Sequence, residues 1–206
     1  MTSRRIPGGS SQLPAEIVAF AEFARAREPR TFVEIGTEAG GTNFLLGRAI
    51  ESIEVAVAVD VFVRNRWRLR RYARPGMRFV ARQGDSSAPA TVERVRRVLD
   101  GREIDLLLID GDHSLAGVLA DLRLYRPLVA PLGLIAFHDI VPDERLRTGQ
   151  ISRAYAGEVP LLWDLVRRQL PHWEFVEDWN QDGLGIGVVE NVRDVEIIIA
   201  PDRVHS

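Results

Sequence analysis

The sequence predicts an α/β fold: one doubly wound domain over residues 1–206, with a mostly parallel seven-stranded sheet, helices on both faces and a C-terminal antiparallel hairpin. Three observations predict it. Between residues 31 and 140, short apolar runs alternate with segments of helical period, which requires parallel strands joined by right-handed crossovers. Glycine, aspartate or histidine, the residues of a turn or a site, stands at or just beyond the end of these runs, as at Gly36, Asp60, Gly84, Asp110 and His138. After residue 140 the alternation stops, and one helical segment is followed by two strand-like runs close together, which adds antiparallel strands.

Residues 13–27 carry apolar side chains at helical spacing behind Pro14, a residue favoured in a first helical turn. Residues 31–36 read as a short buried strand and 42–50 as a helix. The run at 55–61 is continuous and β-branched, as a strand covered on both faces should be. A helix over 63–74 is broken by Pro75-Gly76. Strand 77–82, helix 88–100, strand 104–110, a helix over 115–130 interrupted late by Pro127, and strand 132–140 complete the alternation. The polar, irregular stretch 141–158 is expected to be an active-site loop. A helix over 159–170 and two strands, 173–179 and 184–190, joined by a turn at Asn180–Gly183, close the domain before the tail. Residues 1–30 form an N-terminal helical segment, and 31–140 is the expected cofactor-binding core.

Composition narrows the chemistry. There is no cysteine, which removes thiolate catalysis and Cys-ligated metal centres, and all 27 basic residues are arginine, which removes a Schiff-base lysine. A net charge of −2 gives no global field for nucleic acid or anionic membrane. Arg4-Arg5 is followed by no apolar stretch, and no run approaches the ~20 residues of a membrane span. A cytoplasmic protein without membrane or nucleic-acid partner is expected.

The loop Val33–Thr42 joins the first strand to its helix and contains Gly36, Gly40 and Gly41. In open α/β sheets ligands bind at the carboxyl ends of strands, where glycine lets backbone come close to a ligand. The G-x-G-x-x-G spacing of a pyrophosphate-binding turn is absent. Asp60 ends the second strand, placed to accept hydrogen bonds from two ribose hydroxyls, and Gly84-Asp85-Ser86 follows the third. Asp110-Gly111-Asp112-His113 follows the fourth strand and His138-Asp139 ends the fifth. Carboxylates and imidazoles converging at adjacent strand ends need a balancing charge, and a divalent metal supplies one. Each motif also has a plainer reading: Asp85 and Asp112 or Ser114 as turn and helix-cap residues, and the arginine-rich stretch 64–82 as a solvated face.

The Gly36/Gly40/Gly41 loop resembles the first motif of class I S-adenosylmethionine-dependent methyltransferases, which have a Rossmann-like fold. The stretch from Ile109 through Asp139 resembles their metal-dependent small-molecule O-methyltransferases, the catechol, macrocin and mycinamicin types and the cephalosporin-hydroxylase-like proteins. The resemblance covers residues 31–140 and, more loosely, reaches 190. It implies S-adenosylmethionine bound by Glu34, Gly36, Thr37, Gly40, Thr42, Asp60, Val61, Gly84, Asp85, Ser86 and Asp110, with Asp85 reaching the adenine amino group. It implies a divalent metal, Mg²⁺, on Asp110, His138 and Asp139, and His113 as general base, with Asp110 and His113 the catalytic pair. His138 departs from the family, where a carboxylate is usual, so a softer metal (Mn²⁺, Fe²⁺, Zn²⁺) or a His138 standing back from the ion is also open. The acceptor implied is a small hydroxylated metabolite or natural product; a homodimer completing the pocket fits a chain with no inserted substrate domain. Two other readings stand: a non-haem Fe(II) oxygenase using His113, His138 and one aspartate, and a non-catalytic nucleotide- or RNA-binding domain using the arginine run 64–82.

Overall fold

A computed structural model describes residues 13–64, 69, 71 and 73–198. Its elements are α1 (Pro14–Arg25), β1 (Thr31–Ile35), α2 (Gly41–Ala49), β2 (Val55–Asp60), β3 (Arg78–Gln83), α3 (Pro89–Leu99), β4 (Ile104–Ile109), α4 (Leu115–Tyr125), β5 (Val129–His138), the short α5 (Glu144–Thr148), α6 (Val159–Val166), β6 (His172–Phe175) and β7 (Ile186–Glu190). Half of the residues of the helix expected over 63–74 lie outside the described residues. The seven strands form one sheet in the order β3-β2-β1-β4-β5-β7-β6. β1 to β5 pair in parallel, and β7 runs antiparallel between β5 and β6.

Side-chain alternation along the strands builds two cores. Val33, Ile35, Val57 and Leu107 face α3, α4 and α6 through Val95, Leu122 and Trp163. Phe32, Ala56, Leu106 and Leu108 face α1 and α2 through Phe20, Ala24 and Leu46. The sheet is therefore covered on both sides, which is why its central strands are mostly apolar. No helix among the described residues is long and apolar enough to cross a membrane.

Three local expectations are corrected. The helix predicted over 115–130 ends at Tyr125, because Pro127 enters a short 3₁₀ turn, Arg126–Leu128. β5 therefore begins at Val129, three residues before the predicted start at 132, and a register irregularity opposite Ile104–Leu106 absorbs the extra residues. The closing strands are shorter than 173–179 and 184–190, ending at Phe175 and resuming at Ile186. The buried Glu16 of α1 draws the connection away from the ladder: its carboxylate accepts from Glu177 N, Gln181 Nε2 and Gly185 N at 3.1, 2.8 and 3.0 Å. Residues 141–158 are less irregular than expected: Asp143 caps α5 by accepting from Leu146 N at 2.8 Å.

Candidate active site

The carboxyl ends of β1 to β5 open into a cavity of about 610 Å³. The backbone at its floor is tightly drawn. Gly36 has φ +82°, and a Cβ there would run into the Asp110 carbonyl, with Gly111 N 2.6 Å away. Glycine is thus required where β1 and β4 close on each other. Asp60 Oδ2 accepts from Glu38 N at 2.7 Å and its Oδ1 from Phe62 N at 2.9 Å. Both bonds fix the carboxylate at the rim. Asp85 is likewise held by the Ser87 backbone and hydroxyl at 2.8 and 2.7 Å, which lowers its pKa.

At the β4–β5 end, two carboxylates and two imidazoles meet. His138 is buried, and its Nδ1 stands 3.1 Å from both Asp110 Oδ1 and Asp139 Oδ2. Its Nε2 is buried with no hydrogen-bond partner among the described residues. Burial opposes charge on this ring, but the two aspartates outweigh it and raise its pKa well above the ordinary value. Burial would also raise Asp110, yet the His138 charge and hydrogen bonds from both imidazoles hold it at about 2.

His113 Nδ1 lies 2.6 Å from the Tyr155 carbonyl, which can only accept, so this nitrogen carries the proton. Its Nε2 is left facing Asp110 Oδ1 at 3.5 Å. The Tyr155 ring stacks on the imidazole at 5.6 Å with an interplanar angle of 9°. Burial lowers the His113 pKa, but Asp110 and Asp139 together raise it above the ordinary value. Asp139 adopts φ +61°, rare for a residue with a side chain, and its Oδ1 accepts from Leu184 N at 2.9 Å. Such strain is held in place by the surrounding contacts and is typical of functional sites.

Of the residues expected from sequence, Gly36, Asp60, Val61, Gly84, Asp85, Ser86, Asp110, His113 and Asp139 line this one cavity. Glu34, Thr37, Gly40, Thr42 and His138 are not among its lining residues. Glu34 and Thr37 are buried, and Glu34 accepts from Thr37 Oγ1 at 2.6 Å and Asn43 Nδ2 at 2.7 Å, behind the loop. Gly40, at φ +77°, abuts Leu69. Donor atoms of Asp110, His113 and Asp139 converge within 4.8 Å of one another, and buried His138 Nδ1 stands against the same two carboxylates. Two carboxylates and one imidazole suit a divalent ion that accepts oxygen and nitrogen ligands. Sequence reading gave no role to Glu38, which lines the cavity, or to Tyr155, whose backbone role leaves no sequence signal; Asp112, read as a turn residue, lines the cavity while accepting from Ser114 N at 2.9 Å.

Charge sets the character of the cavity. Its described lining contains six carboxylates (Glu38, Asp60, Asp85, Asp110, Asp112, Asp139), one histidine and no arginine. Among the described residues, Glu38 alone of these pairs with an arginine, Arg64 at 3.1 Å. A pyrophosphate would be repelled here, and a cationic ligand attracted. The arginine-rich stretch has structural duties: Arg74 ties down the end of α2 through the carbonyls of Gly47, Ile50, Glu51 and Ile53, and Arg78 reaches the Val98 carbonyl. Arg66, Arg68 and Arg70 lie outside the residues whose side chains are described.

The methyltransferase-domain family model matches residues 33–140, just over half of the chain. No curated protein sequence matches. An O-methyltransferase from Bacillus cereus, solved with S-adenosylhomocysteine (SAH), is similar in structure: TM-score 0.62, 17% identity, covering 86% of this chain and 81% of that one. TomG from Streptomyces achromogenes, an O-methyltransferase of tomaymycin synthesis solved with S-adenosylmethionine, gives 0.61 at 15% identity, covering 89% and 82%. MycE of the mycinamycin pathway, solved with Mg and SAH, gives 0.53 at 17% identity, covering 96% of this chain and 58% of that one. The glycine loop, the acidic strand ends and the β5-β7-β6 edge thus fall within a known architecture, and the chain belongs to the methyltransferase-domain family, with the fold of the class I S-adenosylmethionine-dependent enzymes.

Proposed function

We propose that the protein transfers the methyl group of S-adenosylmethionine to a hydroxyl of a small acceptor, with a divalent cation assisting. The observation that carries this reading is the charge of the cavity: six carboxylates and no arginine in its described lining. S-adenosylmethionine has a sulfonium and an ammonium against one carboxylate, so it is a net cation and fits where a dinucleotide does not. Asp60 would accept from the ribose hydroxyls, and the Gly84–Ser86 turn would close on the adenine. The O-methyltransferase names of similar structures support the choice of oxygen as acceptor atom.

The chain's own residues have clear tasks in this chemistry. Asp110, His113 and Asp139 offer the donor set for the cation. Placed among them, a divalent ion would carry the positive charge now held by the imidazoles, leave His113 neutral and lower the pKa of an acceptor hydroxyl. The Tyr155 carbonyl keeps the His113 proton on Nδ1, so the Nε2 lone pair points into the cleft, either toward the ion or toward the acceptor proton. Buried His138 bridges Asp110 and Asp139 and sets the spacing of the two carboxylates. Loop 141–158 lies against His113 through Tyr155 and Gly157 and would exclude water while the acceptor is in place. The oxygenase alternative needs both imidazoles on one ion, whereas His138 Nδ1 is taken up between Asp110 and Asp139 and its Nε2 is buried.

Methyl transfer from S-adenosylmethionine to a panel of small catechols and hydroxylated metabolites, read by mass spectrometry with and without Mg²⁺ or Mn²⁺, tests the proposal. A product 14 Da heavier than its acceptor, lost with chelator and lowered about 10²–10⁴-fold in His113→Gln, is the expected result. Turnover indifferent to both chelator and His113→Gln would refute the assigned roles.

A further inference from the structure

The Asp121 carboxyl on α4 is buried, yet neither oxygen has a hydrogen-bond partner among the described residues. It lies directly beneath the cavity floor. A Cβ built on Gly111, a lining residue, would come within 3.4 Å of Asp121 Oδ2. Burial raises its pKa to about 6, with Asp112 and Asp85 adding to the rise and the Ser86 side chain opposing it. Ser86 is therefore close enough to act on the carboxyl while standing short of normal hydrogen-bond geometry.

Four residues along the same helix, the buried Tyr125 donates its hydroxyl to the Ser86 carbonyl at 3.2 Å. Residues at this spacing share a helix face, so one face of α4 addresses both the backbone and the side chain of Ser86. The turn it addresses, residues 84–87, follows β3 and lines the same cavity as Asp110 and His113. With the ribose at Asp60, the turn is the cavity wall available to the adenine.

We infer that Asp121 and Tyr125 are positioning residues that clamp Ser86 and so set the 84–87 turn to read the adenine amino group; this rests on the cofactor reading above. Turning the Ser86 hydroxyl onto Asp121 satisfies a buried acceptor that is otherwise costly to leave unpaired, and it fixes Asp85 on the next bond of the chain. Neither residue touches the ligand. Their effect is on which base the turn accepts.

The test compares calorimetric binding of SAH with that of S-inosylhomocysteine, in which the adenine amino group is replaced by oxygen. Wild type is expected to prefer SAH by about tenfold or more, the worth of one hydrogen bond to a charged group. In Asp121→Ala that preference collapses toward parity. Asp121→Asn, which still offers an acceptor to Ser86, retains it, and Tyr125→Phe reduces it in part. Equal weakening of both ligands in Asp121→Ala, with a lowered melting temperature, would mean a merely structural role and overturn the inference. An unchanged preference, or failure of Asp121→Asn to preserve it, would overturn it too. If Asp121→Ala does not fold, the Asn and Phe variants decide by the same ratio. Absence of SAH binding by wild type would overturn the cofactor reading and this inference with it.

Discussion

Glu34 should make the protein lose stability as pH rises, and its replacement should abolish the loss. The side chain is buried at 1% exposure. Burial raises its pKa from 4.5 to about 7, and the hydrogen bonds from Thr37 and Asn43 offset only part of that rise. The folded state therefore holds a proton that the unfolded chain releases. For a group raised in this way, stability is complete below pH 4.5 and is lost as pH climbs through about 7. The full loss is about 3 kcal/mol, from 2.5 pKa units at ~1.36 kcal/mol each, and about 2 kcal/mol of it falls between pH 5.5 and 8. No discount for solvent screening applies to so buried a group. Glu34→Gln keeps the shape and an acceptor for Thr37 but cannot ionise. Urea titrations of both proteins at pH 5.5 and 8 isolate the effect, because the other titrating groups are common to both. The difference in unfolding free energy between variant and wild type should grow by about 2 kcal/mol in favour of the variant at the higher pH. A difference that stays constant, or grows the other way, would refute the assignment of a protonated Glu34.

Gly36→Ala forces a side chain against the Asp110 carbonyl at a positive φ. It should cost roughly 2–4 kcal/mol in denaturant titration, and a change under ~0.5 kcal/mol would contradict the close approach of β1 and β4. Asp182 accepts from Glu144 N, Ser152 Oγ and Arg153 N at 2.7, 2.8 and 3.0 Å, bonds that hold its pKa at about 2 and tie down the loop over His113. Asp182→Ala should speed amide exchange across residues 143–155 and weaken acceptor turnover while SAH binding is unchanged; protection equal to wild type would show that the loop is held elsewhere.

Much of this was legible in the sequence because the central strands are buried on both faces and read as largely apolar runs. The carboxylates that matter could be found because they end those strands. What could not be read was side-chain direction. Glu34 shares its strand parity with Phe32 and turns toward α2, away from the cavity, although it sits two residues from Gly36. His138 and Asp139 are neighbours, yet the left-handed turn at Asp139 aims its carboxylate at the cavity while His138 stays in the sheet. That His113 converges with the two carboxylates follows from backbone geometry that residue type does not announce. The shortening of β6 and β7 depends on Glu16, more than 160 residues away in sequence. Such distant hydrogen bonds leave no local trace.

The account stands most directly on the cofactor. Calorimetric titration of SAH and S-adenosylmethionine into wild type and Asp60→Ala, with and without Mg²⁺, measures it. Micromolar binding by wild type, weakened on the order of 10–100-fold by removal of the carboxylate placed for the ribose hydroxyls, is the predicted result. No binding by wild type under any of these conditions would contradict the central claim that this acidic cavity holds S-adenosylmethionine.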